Sequence, residues 1–224
     1  MKYNFTLDEV DPRSAHGKVL ARVAPGSTVL ECGSASGYMT KYLTEKMECN
    51  VTVIEKDRDG YDASMQHAAG GVCGDLEDMY TWSRLAGKKF DFVMFADVLE
   101  HLLDPMFAVQ HAKELLKDEG RMIVSIPNIA HNDIILALMN DRFSYTKYGL
   151  LDDTHVHFWG LKDFLEFCND AGMDIELEQH VGIPTGRTEQ WPKLLSAPAS
   201  VISVLKNRKF GEVYQFIFTL KKRL

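Results

Sequence analysis

The sequence lacks several features that would each have fixed its class at once. No apolar run is long enough to span a membrane, and the first residues do not resemble a signal peptide. Positive charge is scarce, since 25 Lys and Arg stand against 32 Asp and Glu, whereas a nucleic-acid binder presents a basic face. No C-x-x-C pair occurs among the four cysteines, which we interpret as reduced core residues: Cys32, Cys49, Cys73 and Cys168. We therefore expect a cytoplasmic protein with no membrane span and no nucleic-acid partner.

What the chain does contain is an alternation of short apolar strands with amphipathic helices. A chain of 224 residues fits a single domain, 1–224. The pattern predicts strands at 28–32, 51–54, 71–73, 90–96 and 122–126, with helices at 14–23, from 37, at 58–68, and from Asp104-Pro105 to Gly120. Such alternation predicts right-handed crossovers and a parallel sheet. Later strands at 175–181 and 214–220 have no obvious helix between them unless 191–206 supplies one, so the terminal strand can be antiparallel.

The remaining segments are less regular. Residues 1–25 are expected to form an N-terminal arm and helix. Residues 128–159 and 183–208 are expected to form cap segments on the substrate side of the domain.

The turn after the first strand is suited to close approach by a ligand. In TVLECGSASGYM the residues of the turn are small, and a helix N-terminus with unpaired N–H groups follows. Its pattern, Glu31-x-Gly33-x-Ala35-x-Gly37, differs from the G-x-G-x-x-G of dinucleotide folds and places an acid where pyrophosphate would be repelled. The turn therefore favours a ligand with a cationic group near Glu31 over NAD.

Other polar residues follow strands at their carboxyl ends, where open α/β sheets bind ligands. Glu55 is placed to accept two hydrogen bonds from a ribose diol. Asp75 is placed to take an adenine amino group, with Leu76 packing on the ring. An ordinary turn aspartate is nearly as good an interpretation of Asp75.

Residues 28–126 resemble the class I S-adenosylmethionine-dependent methyltransferases. The matching segments are VLECGSASG, VTVIEKD, GDLED, FDFVMFADVLEHLLDP and GRMIVSIPN. The last two are similar to the subgroup that methylates small metabolites and sugars, and the tract FSYTKYGLLDDTHVHFWGLKDFLEFCNDAGM is similar to members found with glycan-assembly enzymes. Ala35 departs from the motif, which usually has glycine there.

The resemblance implies a three-layer, doubly wound Rossmann-like fold, with a seven-stranded, mostly parallel sheet whose last strand is antiparallel. It implies S-adenosylmethionine as cofactor and S-adenosylhomocysteine as product. The implied contacts are Glu31, Gly33, Ala35 and Gly37 at the methionine end, Asp97 near it, Glu55 at the ribose, and Asp75 with Leu76 at the adenine.

The predicted reaction is O-methylation of a small molecule or of a sugar or glycan hydroxyl. A hydroxyl nucleophile benefits from a base, and histidine is the natural one. His155 is the first candidate and His131 the second; the alternatives are a histidine that holds the cap and a loop-to-helix cap. His101 is expected to be a packing residue.

Metal ligands drawn from Asp152, Asp153, His155 and His157 are a less favoured alternative, so no metal is predicted. Two other functions stay open: a non-catalytic cofactor-binding or assembly module of the same fold, and, disfavoured by the first turn, an NAD-type dehydrogenase. A homodimer is compatible with the sequence, which does not fix the oligomeric state.

Overall fold

The computed structural model describes residues 11–190 and 197–223; residues 1–10 of the predicted arm and 191–196 of the second cap segment lie outside this range. Seven strands form one sheet in the order β3-β2-β1-β4-β5-β7-β6: β1 (Thr28–Cys32), β2 (Asn50–Glu55), β3 (Gly70–Cys73), β4 (Phe90–Ala96), β5 (Leu116–Pro127), β6 (Met173–Gly182) and β7 (Val213–Lys222). Neighbouring strands are parallel except that β7 is antiparallel to both β5 and β6. The predicted fold class is confirmed.

Helices cover both faces of this sheet. They are α1 (Ala15–Leu20), α2 (Tyr38–Met47), α3 (Arg58–Ser64), α4 (Met79–Ser83), α5 (Pro105–Leu115), α6 (Asn132–Leu138), α7 (Leu161–Asp170) and α8 (Ala199–Lys206). Successive strand side chains point to opposite faces, so Val29 packs with α1 and α2 while Leu30 packs with α5 and α7. None of the helices in the described part of the chain has the length and apolarity needed to cross a membrane.

Side-chain caps set where several helices begin. The Ser14 hydroxyl accepts from the Gly17 N–H at 3.0 Å, and Asp57 accepts from the Gly60 N–H at 2.8 Å. Asp104 accepts from the Phe107 N–H at 3.0 Å, with Pro105 at the first helical position. Each bond satisfies a donor that the first turn of the helix leaves open.

The structure corrects two sequence predictions, the end of α5 and the burial of Cys73, and adds one helix that was not predicted. Helix α5 ends at Leu115 rather than at Gly120, because Leu116 is fully buried in extended conformation and pairs with Phe90 at the start of β5. Helix α4 was not predicted; it is only five residues long, begins at the Asp78 cap and buries Trp82. Cys73 is exposed, whereas the other three cysteines are buried, and all four are free thiols.

The order of the strands creates a crevice in the middle of the sheet. The chain leaves β1 toward β2 and β3 on one side, while β4 and β5 extend on the other, so the crossovers diverge between β1 and β4. Ligands of doubly wound folds bind at this switch point, outside the carboxyl ends of the strands. Gly33 directly follows β1 and Asp97 directly follows β4, which places both at the crevice.

Candidate active site

The turn after β1 is held in a backbone conformation that favours glycine. Gly33 has φ 76° and Gly37 has φ 74°. A Cβ atom on Gly33 would lie 2.7 Å from Val98 Cγ2, and one on Gly37 would lie 2.7 Å from the Ser64 Cα. Ala35 also has a positive φ, 48°, which costs a residue with a side chain about 1–2 kcal/mol. The close contacts require glycine at positions 33 and 37, and the turn holds a strained alanine between them.

Glu55, at the end of β2, organises this turn. Its carboxylate accepts from the Ala35 N–H at 2.8 Å and from the Asp57 N–H at 2.9 Å. A carboxylate has about four acceptor positions, so these two bonds leave capacity for a ligand diol. Glu55 thus connects the β1 turn to the start of α3 while facing a cavity.

That cavity, the strand-2 cavity, has a volume of about 350 Å³ and is bordered by Glu55, Asp75 and Leu76. The Asp75 carboxylate accepts from the Glu77 N–H at 3.0 Å, which makes it a turn aspartate that also faces the cavity. The Leu76 carbonyl accepts from Trp82 Nε1 at 2.9 Å, which holds the backbone that carries this apolar side chain. The three residues predicted for ribose and adenine therefore lie together.

A second cavity, the cap cavity, has a volume of about 300 Å³ and extends from Glu31 to Tyr148, Gly149 and His155. The two cavities share four lining residues, Gly33, Ala35, Asp97 and His101, so they adjoin at the β1–β4 crevice. Helix α1, α2 and β7 complete the wall with His16, Tyr38, Tyr214 and Gln215. Together the cavities are lined by all of the predicted cofactor contacts except Gly37.

Glu31 is the buried acid of the cap cavity. It accepts a hydrogen bond from the Thr40 hydroxyl at 2.6 Å. Burial raises the pKa of the Glu31 carboxyl to about 8; the Thr40 hydrogen bond opposes this shift and the Glu55 charge adds to it. A buried acid of this kind is best satisfied by a cationic ligand group.

Asp97 holds the other side of the crevice. It has φ 55°, and its carboxylate accepts from the Ser125 hydroxyl at 2.7 Å and from the Gln215 side-chain amide. His16 Nε2 lies 3.9 Å from the Asp97 carboxylate. These contacts tie β4, β5, β7 and α1 together at one point.

His155 lies where the sequence places it, in the segment over the cap cavity. It is 8% exposed, and burial, followed by the influence of His101, lowers the pKa of its imidazole to about 4. Its Nδ1 is buried and has no hydrogen-bond partner among the described residues. The rings of His155 and His101 meet edge to face with centroids 4.7 Å apart, so His101 is a cavity residue as well as a packing residue.

The second candidate base, His131, has a structural position instead. It is fully buried at the N-cap of α6, where Nδ1 accepts from the Asp133 N–H at 3.1 Å and Nε2 donates to the Ile183 carbonyl at 2.9 Å. A neutral imidazole has one donor and one acceptor nitrogen, and both are used. His131 does not line either cavity, so we withdraw it as a base and assign it the capping role.

None of the described members of residues 183–208, the second predicted cap segment, lines the two cavities. Their place on the substrate side stays a prediction. They support the cap segment from behind. Glu189 accepts from the Leu150 N–H at 2.7 Å and from the Tyr214 hydroxyl at 3.0 Å, and Thr188 donates to Asp133 at 2.6 Å.

Sequence reasoning missed Glu100, which lies beside His101 in a 3₁₀ turn after β4 and is 1% exposed. The cap cavity includes it. An acid adjacent to a histidine just past a strand end was the available signal. Its contact with the cap segment, where the Glu100 carbonyl accepts from the Val156 N–H at 2.8 Å, could not be seen in the sequence.

Comparison with known families matches residues 13–202 to the model described as "Methionine biosynthesis protein MetW". The chain belongs to the MetW family. The match includes the β1 turn, the β2 acid, the β4 crevice and the cap segment. Tyr214 and Gln215 of the cap-cavity wall lie beyond the matched region of this MetW-family chain.

Among individual proteins, the chain is similar to the ubiquinone biosynthesis O-methyltransferase of Actinobacillus pleuropneumoniae serotype 7 (strain AP76), with 30% identity over 157 residues. The aligned region spans 66% of this chain and 66% of that enzyme, just under two thirds.

Solved structures agree on the fold. Magnesium protoporphyrin IX methyltransferase from Synechocystis PCC 6803 with bound S-adenosylhomocysteine has TM-score 0.61 and 15% identity, covering 94% of this chain and 83% of that one. The 1,6-didemethyltoxoflavin-N1-methyltransferase of Burkholderia thailandensis has TM-score 0.60 and 15% identity, covering 97% and 80%. Both likenesses confirm the predicted fold, which this chain shares with these two methyltransferases.

Proposed function

We propose that this MetW-family protein transfers a methyl group from S-adenosylmethionine to a hydroxyl oxygen of a small molecule. The observation that carries the proposal is the pair of adjoining cavities, which meet at Gly33, Ala35, Asp97 and His101. One cavity suits a nucleoside and the other suits an acceptor, and the reacting atoms would meet where the two join.

The residues present fit the cofactor. The Glu55 carboxylate keeps acceptor capacity for a ribose diol, and the buried Glu31 carboxylate is suited to an ammonium group. Gly33 and Gly37 add no side chain at two positions of the β1 turn where a Cβ atom would meet its neighbours at 2.7 Å. When bound, the cofactor supplies a methyl group on a sulfonium, so the reaction needs no covalent intermediate with the protein. The contribution of the chain is alignment and exclusion of water.

The acceptor is proposed to enter the cap cavity, between Tyr148, Tyr214 and His155. A volume of about 300 Å³ suits a small molecule or one sugar unit. Transfer to oxygen is supported by the activity of the 30% identical relative, an O-methyltransferase of ubiquinone biosynthesis. A glycan hydroxyl belongs to the same proposal, with the two tyrosine rings as stacking surfaces.

Within this proposal His155 meets the acceptor hydroxyl. Its ring borders the cap cavity, and its buried Nδ1 has no partner in the described part of the chain. We expect His155→Ala to lower turnover by about 100-fold or more, while affinity for S-adenosylhomocysteine changes by less than about threefold. Methyl transfer and calorimetric titration measure the two quantities.

The matched control is His157→Ala in the same segment, since His157 binds the Leu103 carbonyl at 3.1 Å and stacks on Trp159 outside the cavities. Equal losses of turnover in both variants would remove His155 from the reaction.

The test of the function itself is a screen for transfer of a labelled methyl group to phenolic metabolites, sugar nucleotides and glycan fragments. Label in an O-methyl product supports the proposal.

A second candidate function is that of a cofactor-binding module without transferase activity. The family description, methionine biosynthesis, favours this candidate because S-adenosylmethionine is itself a methionine derivative. Binding of S-adenosylhomocysteine without transfer to any acceptor, of any of these classes, would favour that second candidate.

A further inference from the structure

The wall of the cap cavity contains three side chains whose contacts with one another have not yet been described. Glu100, His101 and His155 each offer one ligand atom, and these atoms all lie within 4.8 Å of one another. Two of the three are almost completely buried, Glu100 at 1% and His155 at 8% exposure. Glu100 Oε2 and His155 Nδ1 have no hydrogen-bond partner among the described residues.

Two unsatisfied buried polar atoms in one place need an explanation, because each costs about 1–3 kcal/mol and native proteins contain few of them. The two atoms come from side chains that meet at the same cavity wall. An occupant that bonds both at once would remove both costs.

We propose that Glu100, His101 and His155 bind a divalent transition-metal ion, with Zn²⁺ as the preferred occupant. Two imidazoles and one carboxylate form a recognised set for zinc sites that keep a position open for a further ligand. The same set also accepts other divalent first-row metals, but methyl transfer involves no redox change. The open position would face the cap cavity, which all three residues line.

The surroundings of both histidines match the support that metal-binding imidazoles receive from their neighbours. His101 Nδ1 lies 3.2 Å from the Thr154 carbonyl oxygen, and donation to that oxygen places the ring lone pair on Nε2. The Thr154 hydroxyl is in turn fixed by Asp152 at 2.6 Å. His155 Nδ1 is buried and has no hydrogen-bond partner in the described part of the chain, so it is available as a ligand atom.

The local charge also suits a cation. Burial raises the pKa of the Glu100 carboxyl well above its usual range, and the nearby Asp97 and Asp152 carboxylates raise it further. A bound dication would neutralise the ionised carboxylate and offset the repulsion among these acids. Ligands about 2.1 Å from a tetrahedral zinc ion lie about 3.4 Å apart. Because the three ligand atoms lie within 4.8 Å of one another, occupation requires the side chains to close by at most about 1.4 Å.

The role of the ion rests on the proposed function. A metal-bound hydroxyl has a lower pKa, so the acceptor could lose its proton to solvent before transfer. His155 would then act as a ligand rather than as the base predicted from the sequence. This replaces the expectation that the protein binds no metal.

The experiment measures metal binding without reference to activity. The full chain, stripped with a chelator, is titrated with Zn²⁺ by calorimetry and with Co²⁺ by visible absorption, which reports tetrahedral coordination. The variants are Glu100→Gln, which preserves volume, and His155→Ala; the control is His157→Ala. Thermal unfolding checks that each variant is folded.

We expect one ion per chain in the wild type and in the control, with affinity at least about 100-fold lower in both ligand variants. Absence of stoichiometric binding to the wild type, or equal affinity in Glu100→Gln, would overturn the site. Parallel titrations with S-adenosylhomocysteine separate the two proposals. If the chain binds cofactor and transfers methyl groups but binds no metal, the metal site is overturned and the proposed function stands. If it binds metal but transfers methyl groups to no acceptor, the metal site is supported and the result counts against the proposed function.

Discussion

Glu31 should couple cofactor binding to proton release. In the free protein burial raises the pKa of this carboxyl to about 8, so at pH 6 nearly all molecules hold it protonated. A ligand ammonium favours the ionised form and pulls the pKa back down. Binding therefore expels a proton, and affinity should rise with pH until the pH passes the pKa of the free protein.

The magnitude follows from the ionised fraction of Glu31 in the free protein. With a pKa of about 8, that fraction is about 0.01 at pH 6 and about 0.5 at pH 8. If the bound carboxylate stays ionised throughout, affinity should increase by about 50-fold over this range, equivalent to about 2.3 kcal/mol. Glu31→Gln keeps a side chain that can bond to Thr40 but cannot titrate, so its affinity should be lower and nearly independent of pH.

Calorimetric titration with S-adenosylhomocysteine at pH 6, 7 and 8, in buffers of different ionisation enthalpy, measures both affinity and the protons released. Thr40→Val provides a second check. It removes the hydrogen bond that lowers the Glu31 pKa, so the rise in affinity should move to higher pH. A flat profile in the wild type, or the same slope in Glu31→Gln, would refute the assignment of Glu31.

Three further predictions concern the β1 turn and its acid partner. Glu55→Ala should weaken binding of S-adenosylhomocysteine by about 10- to 100-fold, since a hydrogen bond to a charged group contributes about 1.5–3 kcal/mol; unchanged affinity by calorimetry would exclude a ribose contact. Ala35→Gly should raise the free energy of unfolding in urea by about 0.5–1 kcal/mol, because relief of strain at φ 48° exceeds the added entropy of the unfolded chain; a loss of stability would contradict this. Gly37→Ala should lower the free energy of unfolding by at least about 1 kcal/mol more than Gly26→Ala does. Both glycines have φ +74°, but only at Gly37 would the added Cβ lie 2.7 Å from a backbone atom, the Ser64 Cα. Equal losses of stability in the two variants would show that the contact with Ser64 does not matter.

Much of the fold could be predicted because local signals and tertiary packing agree. The strands at 28–32 and 90–96 occur at the predicted residues, since each is an apolar run that ends where the chain must turn. Caps at Ser14 and Asp104 start helices as expected. The end of α5 was wrong because burial of Leu116 outweighs the tendency of the following polar residues to continue the helix.

The candidate site also contains some residues that could be predicted from the sequence and others that could not. Glu31, Glu55 and Asp97 follow from their positions at strand ends, a rule of the topology that needs no side-chain detail. His131 and His155 both lie in loops after β5, and sequence cannot tell that the ring of one caps a helix while that of the other borders a cavity. Glu100 was missed because its importance depends on segments about fifty residues later folding over it.

The antiparallel direction of β7 links the stability of the sheet to the integrity of the cap cavity. Because β7 is antiparallel to β5 and β6, its first residues lie at the edge of the sheet where those two strands end. Tyr214 and Gln215 therefore line the cap cavity, while the rest of β7 lies between β5 and β6. Strand β7 thus pairs with two neighbouring strands of the sheet and also forms part of the wall of the cap cavity. A substitution that disrupts β7 should therefore impair the sheet and the cavity wall together. We expect no variant of this kind to stay fully folded while losing activity alone.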